Sequence, residues 1–196
     1  MGAQAIEIKC PGCGAPERID SVKCRYCHQP LSISSFSTIS EMAAPMVNKY
    51  AGTYKRALED NPDDQTLNLS MGMCYLKLKL YDKALPNFEK AMEDNFDNSE
   101  PFFYAAICVL NGKKPFLHSR DEINKILEYV NAALMLEERG IYRYFLAYVK
   151  KDYFERKFLN ISPNAKEEIE LASRIGYSQL DVSMLLPFLG TEQAPF

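Results

Sequence analysis

The sequence predicts a mainly α chain, an antiparallel helix-hairpin solenoid with a small β module near its N-terminal end. Three observations predict it. Four cysteines form two C-x-x-C pairs, Cys10 with Cys13 and Cys24 with Cys27. From residue 46 onward, apolar residues recur with helical spacing, cut by helix-start and helix-stop signals. A pattern of large and small apolar residues also echoes itself 34 residues on. The 196 residues are 47% hydrophobic and 25% charged, an ordinary globular composition. No run approaches the ~18 apolar residues of a membrane span. Met1–Lys9 has no apolar stretch of signal-peptide length. A cytoplasmic protein with no membrane partner is expected.

The β module is predicted from its cysteines. Each C-x-x-C bends the backbone into a knuckle that turns both thiolates inward. Two facing knuckles set four sulfurs at the corners of a tetrahedron, the geometry of a structural Zn²⁺ site. Gly12 and Gly14 suit the first knuckle; Tyr26 and His28 make the second less ideal. Disulfides do not suit a chain without a visible secretory signal. Cys24-Arg25-Tyr26-Cys27-His28 is literally the haem-attachment pattern C-x-x-C-H, but that reading leaves Cys10 and Cys13 without a role. A thioredoxin-like redox pair lacks its βαβ context. The expectation is one structural ion held by Cys10, Cys13, Cys24 and Cys27, zinc by spacing, with iron an open alternative. With all four positions filled by thiolates, catalysis by the metal is not expected.

Residues 5–33, through Ile8-Lys9-Cys10-Pro11-Gly12-Cys13-Gly14 and Val22-Lys23-Cys24-Arg25-Tyr26-Cys27, resemble the zinc-ribbon family. The resemblance implies short strands around the knuckles, with the turn between them at Ile19-Asp20-Ser21. Residues 1–33 are therefore assigned to a zinc ribbon, stabilised by its metal because so short a segment buries little apolar surface.

Residues 34–45 are expected to be a linker, with few groups able to join the two modules. Serines at 32, 34, 35, 37 and 40 dominate the region, interrupted by Leu31, Ile33 and Phe36, and a last ribbon strand is expected near Leu31–Ser34. Ala43-Ala44-Pro45 then starts a helix. Asn61-Pro62-Asp63-Asp64 ends it and caps the next. Asn98, Ser99 and Pro101 open another, Ser119-x-x-Glu122 is a capping box, and Ser162-Pro163 opens a helix that Gly176 ends. Roughly nine helices of about 10–18 residues are expected, with no strand after residue 47.

The echo fixes how these helices pair. Met71-Gly72-x-x-Tyr75, then Ala84-x-x-x-Phe88 and Ala91, resemble the tetratricopeptide repeat. A shift of 34 carries Leu69, Met71, Gly72, Met73, Cys74, Tyr75 and Leu76 onto Phe103, Ala105, Ala106, Ile107, Cys108, Val109 and Leu110. Residues 46–136 are assigned to tetratricopeptide-like repeats, and 137–196 to degenerate repeats or a helical cap closed by Leu185–Leu189. Small residues such as Gly72 and Ala84 let helices approach, while Tyr75 and Phe88 fill the space between neighbouring hairpins. The resemblance implies a concave surface for another protein or peptide, lined by Leu69, Met73, Leu76, Phe103, Ile107 and Leu110. That apolar stripe is expected to hold an apolar partner or to be covered by residues 137–196. Lys77 and Asn111 are the few polar groups expected there.

No P-loop, dinucleotide-binding glycine pattern, G-x-S-x-G or H-E-x-x-H occurs. His118 reads as a solvated loop residue, Glu137-Glu138 and Glu167-Glu168 as solvated helix faces, and Cys74 and Cys108 as buried small hydrophobes. The aromatic stretch from Tyr142 to Phe158 reads mostly as core. Net charge is −3; residues 1–30 carry Lys9, Arg18, Lys23 and Arg25 against Glu7, Glu17 and Asp20, a net of +1. That is not the basic surface of a nucleic-acid binder. The expected function is a non-enzymatic adaptor for protein–protein interaction. A nucleic-acid-associated regulator that uses the ribbon as its contact module is the alternative.

Overall fold

The computed structural model describes residues 6–93 and 97–196. Helices make up 61% of it, and the chain divides into two compact units, Met1–Asn95 and Phe96–Phe196.

In the first unit, β1 (Glu7–Lys9) pairs antiparallel with β2 (Pro16–Arg18), Ile8 opposite Glu17. Three-residue strands have too few ladder bonds to stand alone. The expected turn follows β2, with Ser21 N–H donating to the Arg18 carbonyl. A single bridge joins Lys23 to Pro30.

Beyond Pro30 the structure departs from expectation. Residues 31–34 form no strand. The serine-rich stretch also does not hang free: Leu31, Ile33, Phe36 and Ile39 are all buried. Buried main chain needs hydrogen-bond partners, and the next helices supply them. Tyr50 and Tyr54 of α2 (Ala44–Asp60) donate to the carbonyls of Pro30 and Leu31, each at 2.9 Å. Ser70 of α3 (Gln65–Lys77) accepts from Ile33 N–H at 2.9 Å. Residues 36–40 form the short helix α1 (Phe36–Ser40) against α3, and Lys77 Nζ donates to the Ser40 carbonyl. Apolar residues interleaved with serines thus make a joint instead of a tether.

The helix boundaries at 43–64 fall where the sequence places them. Pro45 lies in the first turn of α2, and Asp64 caps α3 by accepting from Leu67 N–H at 2.7 Å. α3 packs antiparallel on α4 (Tyr81–Met92). The ring of Phe88 lies over Gly72 within this hairpin. A Cβ on Gly72 would come within 2.7 Å of that ring.

The second unit contains α5 (Glu100–Leu110), α6 (Arg120–Leu136), α7 (Gly140–Val149), α8 (Ala165–Ile175) and α9 (Gln179–Leu185). α5 packs on α6, and α7 on both α6 and α8. Ser99 and Ser119 precede α5 and α6 as expected, Ser119 with its reciprocal capping box to Glu122. α8 starts two residues late: the capping residue is Asn164, boxed with Glu167. α1 and α9, at five and seven residues, are shorter than expected. α7 continues into a π-helical turn, Lys150–Glu155, and α9 into a 3-10 turn, Leu186–Phe188.

Two polar residues expected in solvent are interior. His118 is buried: its Nε2 is 3.0 Å from the Leu110 carbonyl and its Nδ1 3.4 Å from Glu122, so it staples the loop after α5 to the first turn of α6. Glu168 is also buried, 2.6 Å from Lys150 Nζ and 3.0 Å from Arg143 Nη1. Both depart from expectation for one reason: a polar side chain can be buried when tertiary partners meet it, and local sequence does not show them.

The Gly72–Phe88 contact predicts intolerance even of a methyl group. Gly72→Ala should destabilise the chain by about 1–3 kcal/mol, and Gly72→Leu by more. Pairing Gly72→Ala with Phe88→Leu should recover part of the loss, read from urea-unfolding midpoints; equal stability of all three chains would refute the packing.

Candidate functional site

The two knuckles are built alike. Cys10 N–H donates to Ala15 O at 2.8 Å and Gly14 N–H to Cys10 O at 2.8 Å. Cys24 N–H donates to Gln29 O at 2.9 Å and His28 N–H to Cys24 O at 3.0 Å. Each turn closes through a residue at positive φ, Gly14 at 79° and His28 at 58°. Gly12 is needed for proximity, because a Cβ there would lie 3.1 Å from Cys27 Sγ.

These turns bring together the four predicted residues. All four sulfurs lie within 4.8 Å of one another, with Cys10–Cys27 at 3.4 Å and Cys13–Cys24 at 3.7 Å. A tetrahedron with Zn–S arms of about 2.3 Å has edges of about 3.8 Å, so the cluster has the right size. Disulfide sulfurs would lie at about 2.05 Å, so these four are not paired as disulfides.

The electrostatics also suit a cation. Burial raises the Cys10 thiol, but N–H groups of Cys13 and Gly12 and the neighbouring thiols outweigh it and bring it down to about 7. Burial pushes Cys24 up to about 12. Cys27 is raised as well: burial and the thiols of Cys10 and Cys13 outweigh the Gln29 backbone bond that favours its thiolate. Neighbouring thiolates repel one another, and a positive ion among them would offset that repulsion.

A second layer fixes the second knuckle. Glu17 is buried and accepts from Arg25 N–H at 2.8 Å and Arg25 Nε at 3.3 Å. The backbone bond is the main cause holding its carboxyl below the usual range. Sequence reading missed Glu17; its alternation with Pro16 and Arg18 on a strand was the available signal.

The expected apolar stripe is not open. Leu69, Met73, Leu76, Phe103, Ile107 and Leu110 are all buried. Lys77 is spent on Ser40, and Asn111 closes α5 in a left-handed turn at φ 50°. Cys74 and Cys108 are buried as expected, Cys74 with its thiol pushed up to about 12 by burial. Of the aromatic stretch, Tyr142, Tyr144, Phe145, Tyr148, Tyr153 and Phe154 are core, and Phe158 is 94% exposed. In the second unit the face of α7 is covered by the chain itself. Tyr177 and Phe196 flank the Tyr144 ring at 5.1 and 5.5 Å, and Tyr148 O–H donates to the Leu189 carbonyl at 2.6 Å.

The chain matches no protein-family profile and no curated protein sequence. It is similar to the solved structure titled MamA MSR-1 C2, a tetratricopeptide-like protein. The TM-score is 0.54 at 19% identity, over 71% of this chain and 72% of that one. The shared architecture is the helical-hairpin solenoid, and the likeness is one of fold alone. Among the described residues no helix is long and apolar enough to cross a membrane.

His28 holds a backbone conformation that costs a side-chain-bearing residue more than glycine. His28→Gly should therefore stabilise the second knuckle by about 0.5–1 kcal/mol. The check is a slower release of bound metal to a chromogenic chelator; faster release would contradict it.

Proposed function

We propose that the protein is a non-enzymatic adaptor whose tetratricopeptide-like hairpins bind other proteins, with a structural zinc ribbon fastened to the first hairpin. The observation that carries the reading is the architecture shared with a tetratricopeptide-like structure across most of both chains. Solenoids of this kind present extended surfaces formed by neighbouring repeats. Residues 1–33 are the ribbon, 34–45 the joint, 46–136 the repeats, and 137–196 a degenerate hairpin with a covering segment.

Cys10, Cys13, Cys24 and Cys27 would hold one Zn²⁺, which supplies folding stability and offers no open position for substrate. Four reduced thiols suit the cytoplasm. The nucleic-acid alternative is weaker, because two of the ribbon's four cations are neutralised: Arg18 pairs with Asp20 at 2.5 Å and Arg25 with Glu17 at 3.3 Å.

The function is tested by purifying the tagged full-length chain from its host with and without nuclease. A protein that co-purifies in fixed proportion under both conditions supports the adaptor. Retention that disappears with nuclease supports the alternative, and the absence of any protein partner overturns the adaptor.

The metal is tested by elemental analysis. Protein purified without added zinc should carry about one equivalent, and Cys13→Ser with Cys27→Ser should carry none. Because Tyr50, Tyr54 and Ser70 bond the chain leaving the ribbon, the double variant should also melt at lower temperature in its helical signal. Full metal retention would reject the ligand set. An unchanged melt would show that the joint does not couple ribbon and helices.

A further inference from the structure

After α9, the chain changes from core to surface at one residue. Leu185, Phe188 and Leu189 are buried. Gly190 follows at φ 64°, so close to residues 112–114 that a Cβ would lie 2.7 Å from the Lys113 backbone. Only glycine suits that position, so the chain is pinned there. From Thr191 to Phe196 no residue is buried and no helix or strand forms.

This last segment nevertheless has a defined seat. Tyr144, Tyr148 and Lys151 follow one another at four and three residues, which places them on one helical face. Lys151 Nζ donates to the Pro195 carbonyl at 2.8 Å and lies 4.5 Å above the Phe196 ring. That ring meets Tyr144 edge-on at 5.5 Å. Between the two ends the segment borders an open surface depression of about 300 Å³, which Lys114, Tyr148 and Arg156 also line. Permanent core is packed to the density of an organic crystal. A segment held at its ends, unburied along its length and bordering an open depression is a bound chain and not core.

We propose that residues 191–196 are a detachable strap. It occupies in cis a docking surface for an extended partner peptide bearing a proline–aromatic pair. The seat sets that chemistry: Lys151 requires a main-chain carbonyl beneath its ammonium, and Tyr144 requires an aromatic ring one residue further on. Proline holds the preceding backbone extended and lowers the cost of ordering it. The proposal rests on the reading of the chain as a protein-binding adaptor. It adds where one partner docks and what keeps the site closed.

The probe is a fluorescein-labelled peptide, Gly-Thr-Glu-Gln-Ala-Pro-Phe, titrated by anisotropy against full-length protein. Phe196→Ala in the protein should release the strap and raise peptide affinity about tenfold, as expected when the closed form is populated about ten to one. Adding Lys151→Ala should remove the gain, and a peptide ending in Ala in place of Phe should not bind. Hydrogen exchange on the unaltered chain gives an independent measure: amides of 191–196 should exchange faster than those of 185–189, and excess peptide should speed them further. Absence of peptide binding to the folded Phe196→Ala chain, or binding indifferent to Lys151→Ala, overturns the strap. So does equal protection of the two segments. A chain that fails here yet still co-purifies with its protein partner leaves the adaptor reading standing.

Discussion

Burying the backbone at Pro30–Ile33 is the constraint on which the first unit depends. Leu31 and Ile33 have no exposed surface, so their peptide groups are cut off from water, and an unpaired buried polar group costs about 1–3 kcal/mol. Three hydroxyls meet the need: Tyr50 and Tyr54, one helical turn apart on α2, and Ser70 on α3. Removing the ribbon would strand these hydroxyls inside the helices; removing the helices would strand the carbonyls. The cysteine cluster sits directly upstream, so the knuckles and the first hairpin are linked through these hydrogen bonds. The cysteine module is not an appendage.

The parts of this protein legible in its sequence are those governed by local rules. Cysteine spacing set the sulfur cluster, because a knuckle is a four-residue event. The caps at Asp64 and Ser119 and the helix start at Pro45 were legible because capping acts within one turn. Gly72 announced a close approach but not its partner, Phe88, which lies in another helix. What escaped was tertiary. The serines at 32–40 suggested a tether because composition carries no information about what covers Ile33 or Ile39. His118 and Glu168 read as solvated because a buried polar group is recognised by its partners, and the Leu110 carbonyl stands 8 residues from His118 and Lys150 stands 18 from Glu168. The stripe of Leu69, Met73 and Ile107 was correctly seen as too apolar to leave bare, and it is buried.

The second unit is organised around α7. Nearly all of α7 is buried, so it behaves as the axis of the unit and not as an amphipathic surface helix. Gly140 begins it against the end of α8, where a Cβ would lie 2.2 Å from the Gly176 carbonyl oxygen. The ion pairs of Glu168 with Arg143, in the first turn of α7, and with Lys150, just past its last residue, fix α8 in register. Breaking such a buried pair on one side leaves a charge unpaired, which makes the pairing specific even where its net stabilisation is small.

The π-helical turn after α7 has a mechanical consequence. An α-helix rotates about 100° per residue, and a π turn takes an extra residue per turn, so the side chains along it are shifted in direction from those of a regular helix. Here Lys150 points to Glu168 on α8, Lys151 to Pro195, and Asp152 accepts from Phe116 N–H in the loop between α5 and α6. Three pieces of chain far apart in sequence are thereby moored to three consecutive residues. Tension on any one of them is borne by the same turn of backbone. Deleting a single residue there would restore a regular helix and cast off at least one mooring.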